Sequence, residues 1–101
     1  MKVKYGSKIN IPFSDGTSDE ITLWDRSDVL TLSFLLKGEI VAACMYKGRY
    51  VFKLENDEIN YIIDPKTKRV ECIDDVGGGI FIYDQPDAVK ISPEELRRAL
   101  S

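Results

Sequence analysis

The chain has 101 residues, of which 44% are hydrophobic and 31% are charged, a composition typical of one globular domain spanning residues 1–101. The formal net charge of −3 weakly disfavours binding to nucleic acid or to anionic membranes. No apolar run approaches the ~20 residues that a membrane-spanning helix needs, and residues 1–5 lack the apolar core of a signal peptide. We therefore expect a soluble, cytoplasmic protein. The lack of histidine and the single glutamine lean towards a thermophilic composition.

Two strands are predicted in the first quarter of the chain. The first covers residues 8–13, where isoleucine alternates with other residues. Pro12 cannot donate a ladder hydrogen bond, which indicates an edge position for this strand. Asp15-Gly16 provides turn chemistry, and residues 20–24 resume as a second strand.

The segment from Asp28 to Leu54 contains two Lys-Gly dipeptides, at 37–38 and 47–48, which divide an apolar run. If both are two-residue hairpin turns, the segment forms three antiparallel strands in a fixed register. That register places Tyr46 opposite Arg49, Met45 opposite Tyr50, Ala43 opposite Phe52 and Val41 opposite Leu54. One face then forms the main core, and it carries Leu30, Leu32, Phe34, Val41, Ala43, Met45, Tyr50, Phe52 and Leu54.

A helix is the alternative interpretation of residues 26–37. Asp25 is suited to cap such a helix, and Gly38 is suited to end it in a left-handed conformation. Against the helix, Thr31 and Ser33 alternate with apolar residues at the period of a strand. We therefore expect a strand here and keep the helix as the alternative.

The opposite face of the predicted three strands is only half polar, whereas a solvated sheet face normally carries polar residues throughout. It therefore needs cover, either from another part of this chain or from a partner protein or second subunit. The residues of this predicted interaction face are Leu35, Ile40, Cys44, Tyr46, Arg49, Val51 and Lys53.

Further strands and one helix are predicted after residue 54. Residues 59–64 and 69–73 read as a hairpin around an Asp-Pro turn, and a strand at 80–83 follows a triple glycine at 77–79. Near the end, Ser92 has the position of a helix N-cap, with Pro93 as the first helical residue and Glu95 completing a capping box. The apolar stripe of this short helix carries Leu96, Ala99 and Leu100.

Together these elements predict a mainly β protein that borders on the α+β class. We expect an antiparallel β-meander forming a small barrel or a curled sheet, closed by the short C-terminal α-helix. The cysteines, Cys44 and Cys72, are expected to be buried thiols, with a disulfide as the alternative if their strands are neighbours. Neither forms a Cys-x-x-Cys pair, and without histidine we predict no metal site and no cofactor.

No residue set points to catalysis, because histidine is absent and the acidic clusters lie in turns. We therefore predict a small non-enzymatic protein-interaction module that associates with a protein partner or with itself as a homodimer. The alternative is a nucleic-acid-binding small β-barrel whose patch consists of Tyr46, Arg49 and Lys53. Nucleic acid is the less favoured partner, because the register sends the neighbouring aromatics Tyr50 and Phe52 to the core face.

Overall fold

The computed structural model describes residues 4–13, 15–74 and 82–101, and in these residues the chain forms seven strands, two short helices and one turn of 3-10 helix at Ile82–Asp84. The predicted mainly antiparallel β fold, with a curled sheet and a short C-terminal helix, is confirmed. The strands are β1 (Tyr5–Pro12), β2 (Ser18–Asp25), β3 (Ile40–Tyr46), β4 (Arg49–Leu54), β5 (Ile59–Ile63), β6 (Val70–Asp74) and β7 (Val89–Lys90), and the helices are α1 (Leu32–Leu35) and α2 (Pro93–Leu100).

The strands form a single sheet in the order β1-β2-β6-β5-β4-β3-β7. Strands β3 to β6 make a continuous meander, and the β1–β2 hairpin joins it through β6, where Asp25 pairs with Glu71. The predicted edge position of the first strand is confirmed, because β1 lies at one end of the sheet. Two side chains of the β3–β4 hairpin reach the backbone of β1: Lys47 donates to Asn10 O at 2.6 Å and Arg49 donates to Lys8 O at 3.5 Å. The sheet thus curls until its ends approach each other.

The second Lys-Gly dipeptide forms the predicted two-residue hairpin between β3 and β4. Lys47 and Gly48 both have positive φ, at 50° and 77°, as a type I′ turn requires. The predicted register is confirmed from the turn as far as the pairing of Ala42 with Lys53. Beyond it a bulge changes the register, so that Leu54 pairs with Ile40 and not with Val41 as predicted.

The first Lys-Gly dipeptide does not form a hairpin, and the strand predicted before it is wrong. The chain forms the one-turn helix α1, whose N-cap Thr31 accepts a hydrogen bond from the Phe34 N–H through its hydroxyl. Apolar side chains three and four residues apart, at 32, 35 and 36, turn towards the core at the helical period, and Leu35 is buried. The predicted alternative, a helix over 26–37, is too long, because α1 covers only Leu32–Leu35. Gly38 also lacks the left-handed conformation that was expected of the residue ending this helix.

Two apolar clusters lie on opposite faces of the sheet, and residues next to each other on β4, such as Val51 and Phe52, belong to different clusters. The sheet curls around the inner layer, which contains Ile9, Ile11, Leu23, Cys44, Tyr46, Val51, Ile62, Ile73 and Ile82. Helices α1 and α2 cover the outer layer, which contains Leu35, Ile40, Ala43, Phe52, Tyr61, Ile63, Val70, Cys72, Leu96 and Leu100.

The C-terminal helix begins as predicted. Ser92 is its N-cap and accepts from the Glu95 N–H at 3.1 Å, with Pro93 as the first helical residue. Of the predicted apolar stripe, Leu96 and Leu100 are buried in the outer layer, but Ala99 is exposed.

The strand predicted at 80–83 is also wrong where it can be compared. Residues 82 and 83 belong to a 3-10 turn, and Ile82 is buried in the inner layer. The remainder of that prediction, with the triple glycine at 77–79, lies outside the described residues.

Candidate functional site

The predicted interaction face is not one open surface. Its apolar residues are divided between the two layers, and the cover that the sequence left open comes from the chain itself. Arg49 and Lys53 are the members of the face that keep partial exposure. The buried members are Leu35 and Ile40 in the outer layer and Cys44, Tyr46 and Val51 in the inner layer.

Tyr46, the aromatic member of the predicted nucleic-acid patch, is fully buried with 0% exposure. Its hydroxyl has no hydrogen-bond partner in the part of the chain that the structure describes. Burial raises the pKa of this hydroxyl, and the negative charge of Asp87 raises it further. Because its ring faces the inner layer, Tyr46 offers no surface on which a base could stack.

The cysteines are both buried, as predicted, and they lie on opposite faces of the sheet. Cys44 belongs to the inner layer and Cys72 to the outer layer, so the sheet separates the two sulfur atoms. Burial raises the pKa of the Cys44 thiol to about 11, which keeps it protonated and unreactive at neutral pH. Among the described residues, no group of three or more His, Cys, Asp or Glu side chains could hold a metal ion.

The outer layer contains a groove between the two helices, which we call the α1–α2 groove. Its volume is about 330 Å³. Most of its apolar lining comes from leucine side chains, and the polar residues lie around them. The groove is lined by Leu32, Ser33, Leu36, Lys37, Arg97, Leu100 and Ser101.

Arg97 fixes the two helices relative to each other. Its Nε donates to Leu36 O at 3.0 Å, and its Nη2 donates to Gly38 O at 3.1 Å. These carbonyl groups follow the end of α1 and have no partner within so short a helix. A charged donor from α2 therefore satisfies the end of α1 and holds one wall of the groove against the other.

An aromatic side chain projects from the same short helix. Phe34 follows the groove residue Ser33 and is 66% exposed, and Val29, just before α1, is 64% exposed. Sequence reasoning placed Phe34 in the core because it took this segment for a strand. The helical spacing of residues 32, 35 and 36 is the signal that separates Phe34 from the buried leucines.

Charged groups of both signs lie near this surface. Lys37 lines the groove. Two residues later, Glu39 shares a side-chain hydrogen bond with Glu55. This hydrogen bond and the charge of Glu39 raise the pKa of Glu55. The backbone also joins these two residues, because Glu55 N–H donates to Glu39 O at 2.9 Å. A lysine and a pair of carboxyl groups thus flank Gly38.

Comparison with known proteins identified no relative: no family model, no curated protein and no solved structure matches the chain. Within the described residues, none of the helices has the length and apolar character needed to cross a membrane.

Proposed function

We propose that this protein is a small non-enzymatic interaction module that forms a homodimer through the α1–α2 groove. The observation that carries the proposal is the exposed Phe34 ring beside an apolar groove on the same short helix. Exposed aromatic side chains are typical of protein interfaces, where they supply much of the binding energy. The interaction class is the one the sequence predicts, but the surface is different.

A second copy of the chain is the occupant that fits this arrangement. In a two-fold dimer the same patch is used on both subunits, so a projecting side chain and the groove that receives it must lie close together on one surface. Phe34 and the groove meet this requirement, since Phe34 lies one turn before the groove residue Lys37, whose N–H donates to Phe34 O at 3.2 Å. The volume of about 330 Å³ is at the small end of protein ligand pockets, which suits one inserted side chain.

The charges beside the groove support the same occupant. Lys37 and the Glu39–Glu55 carboxyl pair flank Gly38. When this patch meets the same patch of a second copy, each copy therefore presents charges opposite to those of the other. Exposed ion pairs contribute little to affinity and weaken with salt. We therefore expect the dimer to persist at moderate salt, with apolar contact as its main source of stability.

Light scattering coupled to size-exclusion chromatography tests the proposal with a matched pair of variants. The wild type is expected at twice the monomer mass of 11.5 kDa, and Phe34→Asp is expected at the monomer mass. Tyr5→Asp is the control, because Tyr5 is equally exposed, at 68%, but lies on the edge strand β1. It should leave the dimer intact.

Two outcomes would contradict the proposal. One is a monomeric wild type at the highest concentration that remains soluble. The other is a Phe34→Asp variant that keeps the wild-type circular dichroism spectrum and still elutes as a dimer.

A further inference from the structure

A second cavity, separate from the α1–α2 groove, lies where the first strand, the start of β4 and the β5–β6 turn meet. Its volume is about 310 Å³. A register irregularity between Tyr5 and Lys8 bends β1 at this point, and such bulges commonly occur beside functional sites. We call it the polar cleft, and the charged and polar side chains that matter in it are Ser7, Asp25, Arg49, Asp64, Arg69 and Glu71.

Two buried carboxylates face each other across β2 and β6 in the polar cleft. Asp25 and Glu71 are Cα partners, with exposures of 6% and 8%. Glu71 accepts from the Ser7 N–H at 2.5 Å and from the Ser7 hydroxyl at 3.0 Å. Gly6 makes this possible, because a Cβ atom at that position would collide with the Glu71 carboxylate.

Asp25 is held equally firmly. It accepts from the Ser27 N–H at 2.9 Å and forms an ion pair with Arg69. Burial acts to raise the pKa of Asp25, but the Ser27 hydrogen bonds and the charge of Arg69 outweigh burial and leave the pKa below its usual value. Both buried carboxylates are therefore satisfied within the protein.

Arg49 is the charged group in the polar cleft whose hydrogen-bonding capacity is not fully used. Its buried Nη1 atom has no hydrogen-bond partner among the described residues, and its Nη2 reaches Lys8 O only at the long distance of 3.5 Å. Among the described side chains it forms no ion pair. An unpaired charged donor is costly to bury, and an anionic oxygen is the partner that stabilises it most.

Asp64 provides the opposite charge beside it. Ile63 pairs with Tyr50, and one step further along this register Asp64 lies level with Arg49. The Asp64 Oδ1 atom accepts from the Lys66 N–H at 2.7 Å, and the described residues provide no donor to Oδ2. The cleft thus presents one cation and one carboxylate that do not pair with each other.

We infer that the polar cleft binds a small zwitterion, a free α-amino acid, whose carboxylate pairs with Arg49 and whose ammonium group pairs with Asp64. The lining contains one more carboxylate than guanidinium groups, so an ion with two negative charges, such as phosphate, is repelled. A zwitterion brings no net charge, and it offers an anionic group to the partly exposed Arg49 side chain and a cationic group to Asp64. A volume of about 310 Å³ is appropriate to a molecule of this size.

Titration of the full-length protein followed by amide chemical shifts tests the inference. The probes are the standard free amino acids, with N-acetylglycine carrying the carboxylate alone, glycinamide carrying the ammonium alone, and inorganic phosphate. We expect saturable shifts at Ser7 and Glu71 with at least one free amino acid, and weaker binding of the three other probes.

Variants separate the two charges. Arg49→Gln should weaken binding about tenfold or more, the scale of a lost charge-assisted hydrogen bond, whereas Arg98→Gln, on the exposed side of α2, should not change it. Asp64→Asn should weaken binding of the free amino acid but not of N-acetylglycine. Asp64 lies at the end of a strand, so this variant serves if Arg49→Gln fails to fold.

Three results would overturn the inference. The first is no saturable shift with any free amino acid up to about 10 mM, in the range of weak binding. The second is binding that Arg49→Gln leaves unchanged. The third is phosphate or N-acetylglycine binding as tightly as the amino acid, which would assign the cleft to simple anions.

Discussion

The two faces of the sheet are covered in different ways. The inner layer is enclosed by the curl of the sheet itself, and its members come from β1 to β6 and the 3-10 turn. The outer layer is covered by α1 and α2, which contain 4 and 8 residues and leave a groove between them. Elements this short cannot cover a whole sheet face, so the outer layer combines a packed centre with a surface that remains accessible. We expect the inner layer to determine stability and the outer layer to determine association.

The largest expected effect is on unfolding after truncation in the inner layer. Ile62 is 0% exposed, and Ile62→Ala should lower the free energy of unfolding by about 2–5 kcal/mol, since it leaves a cavity that the sheet cannot close. Leu36→Ala, in the partly open groove, should lower it by about 1 kcal/mol. Urea unfolding followed by circular dichroism measures both. Equal losses would remove the distinction between the layers.

A second effect concerns alkaline pH. The pKa of Cys44 is raised from 9.0 to about 11, so its contribution to stability is complete below pH 9.0 and is lost as pH rises from there towards 11, because the unfolded state loses its proton first. The wild type should lose up to about 2 kcal/mol more than Cys44→Ala over this interval. Urea unfolding at pH 8 and at pH 11 gives the comparison. Parallel losses would show that Cys44 is not sealed in the inner layer.

The two Lys-Gly dipeptides allow a smaller and closely matched comparison. Gly48 has a φ of 77° in the β3–β4 hairpin, and Gly48→Ala should destabilise by about 1–2 kcal/mol because a Cβ atom strains this conformation. Gly38→Ala should destabilise less, since Gly38 does not have a positive φ, although its Cβ would lie 3.2 Å from the flexible methyl groups of Leu54 and 3.3 Å from Leu35 O. Thermal unfolding ranks the two variants. The reverse ranking would mean that the outer layer is the more tightly packed.

These two dipeptides also show how far local sequence predicts the structure. The 47–48 turn and the Ser92 cap were predicted correctly because hairpin turns and capping boxes depend on residues within a few positions of each other. The segment before Gly38 was predicted incorrectly, since its leucines fit both a strand and a helix. Burial of Leu35 by residues distant in the chain decides between the two structures.

Long-range features were beyond sequence reasoning for the same reason. The pairing of β2 with β6 and the bulge near Val41 depend on how distant segments meet. For the candidate sites, Arg49 was identified, but its role in the polar cleft depends on Asp64 and on the bend in β1. Phe34 was assigned to the core, and Arg97, which joins two helices, was not among the predicted site residues.

The smallest expected change in stability comes from Phe34→Asp. Because Phe34 is 66% exposed, this substitution should change the unfolding free energy of the monomer by no more than about 0.5 kcal/mol. Unfolding of Phe34→Asp and of the wild type should be compared at a concentration where both are monomeric. A loss comparable with that of Ile62→Ala would place Phe34 in the core and not at an interface.

Contacts between subunits test the central proposal most directly. A sample mixed from isotopically labelled and unlabelled chains, examined by filtered nuclear Overhauser spectroscopy, reports contacts between copies alone. We predict contacts from the Phe34 ring of one copy to the Leu36 and Leu100 methyl groups of the other. The absence of such contacts in a dimeric sample, or contacts centred on Val89 at the other edge of the sheet, would contradict the proposal.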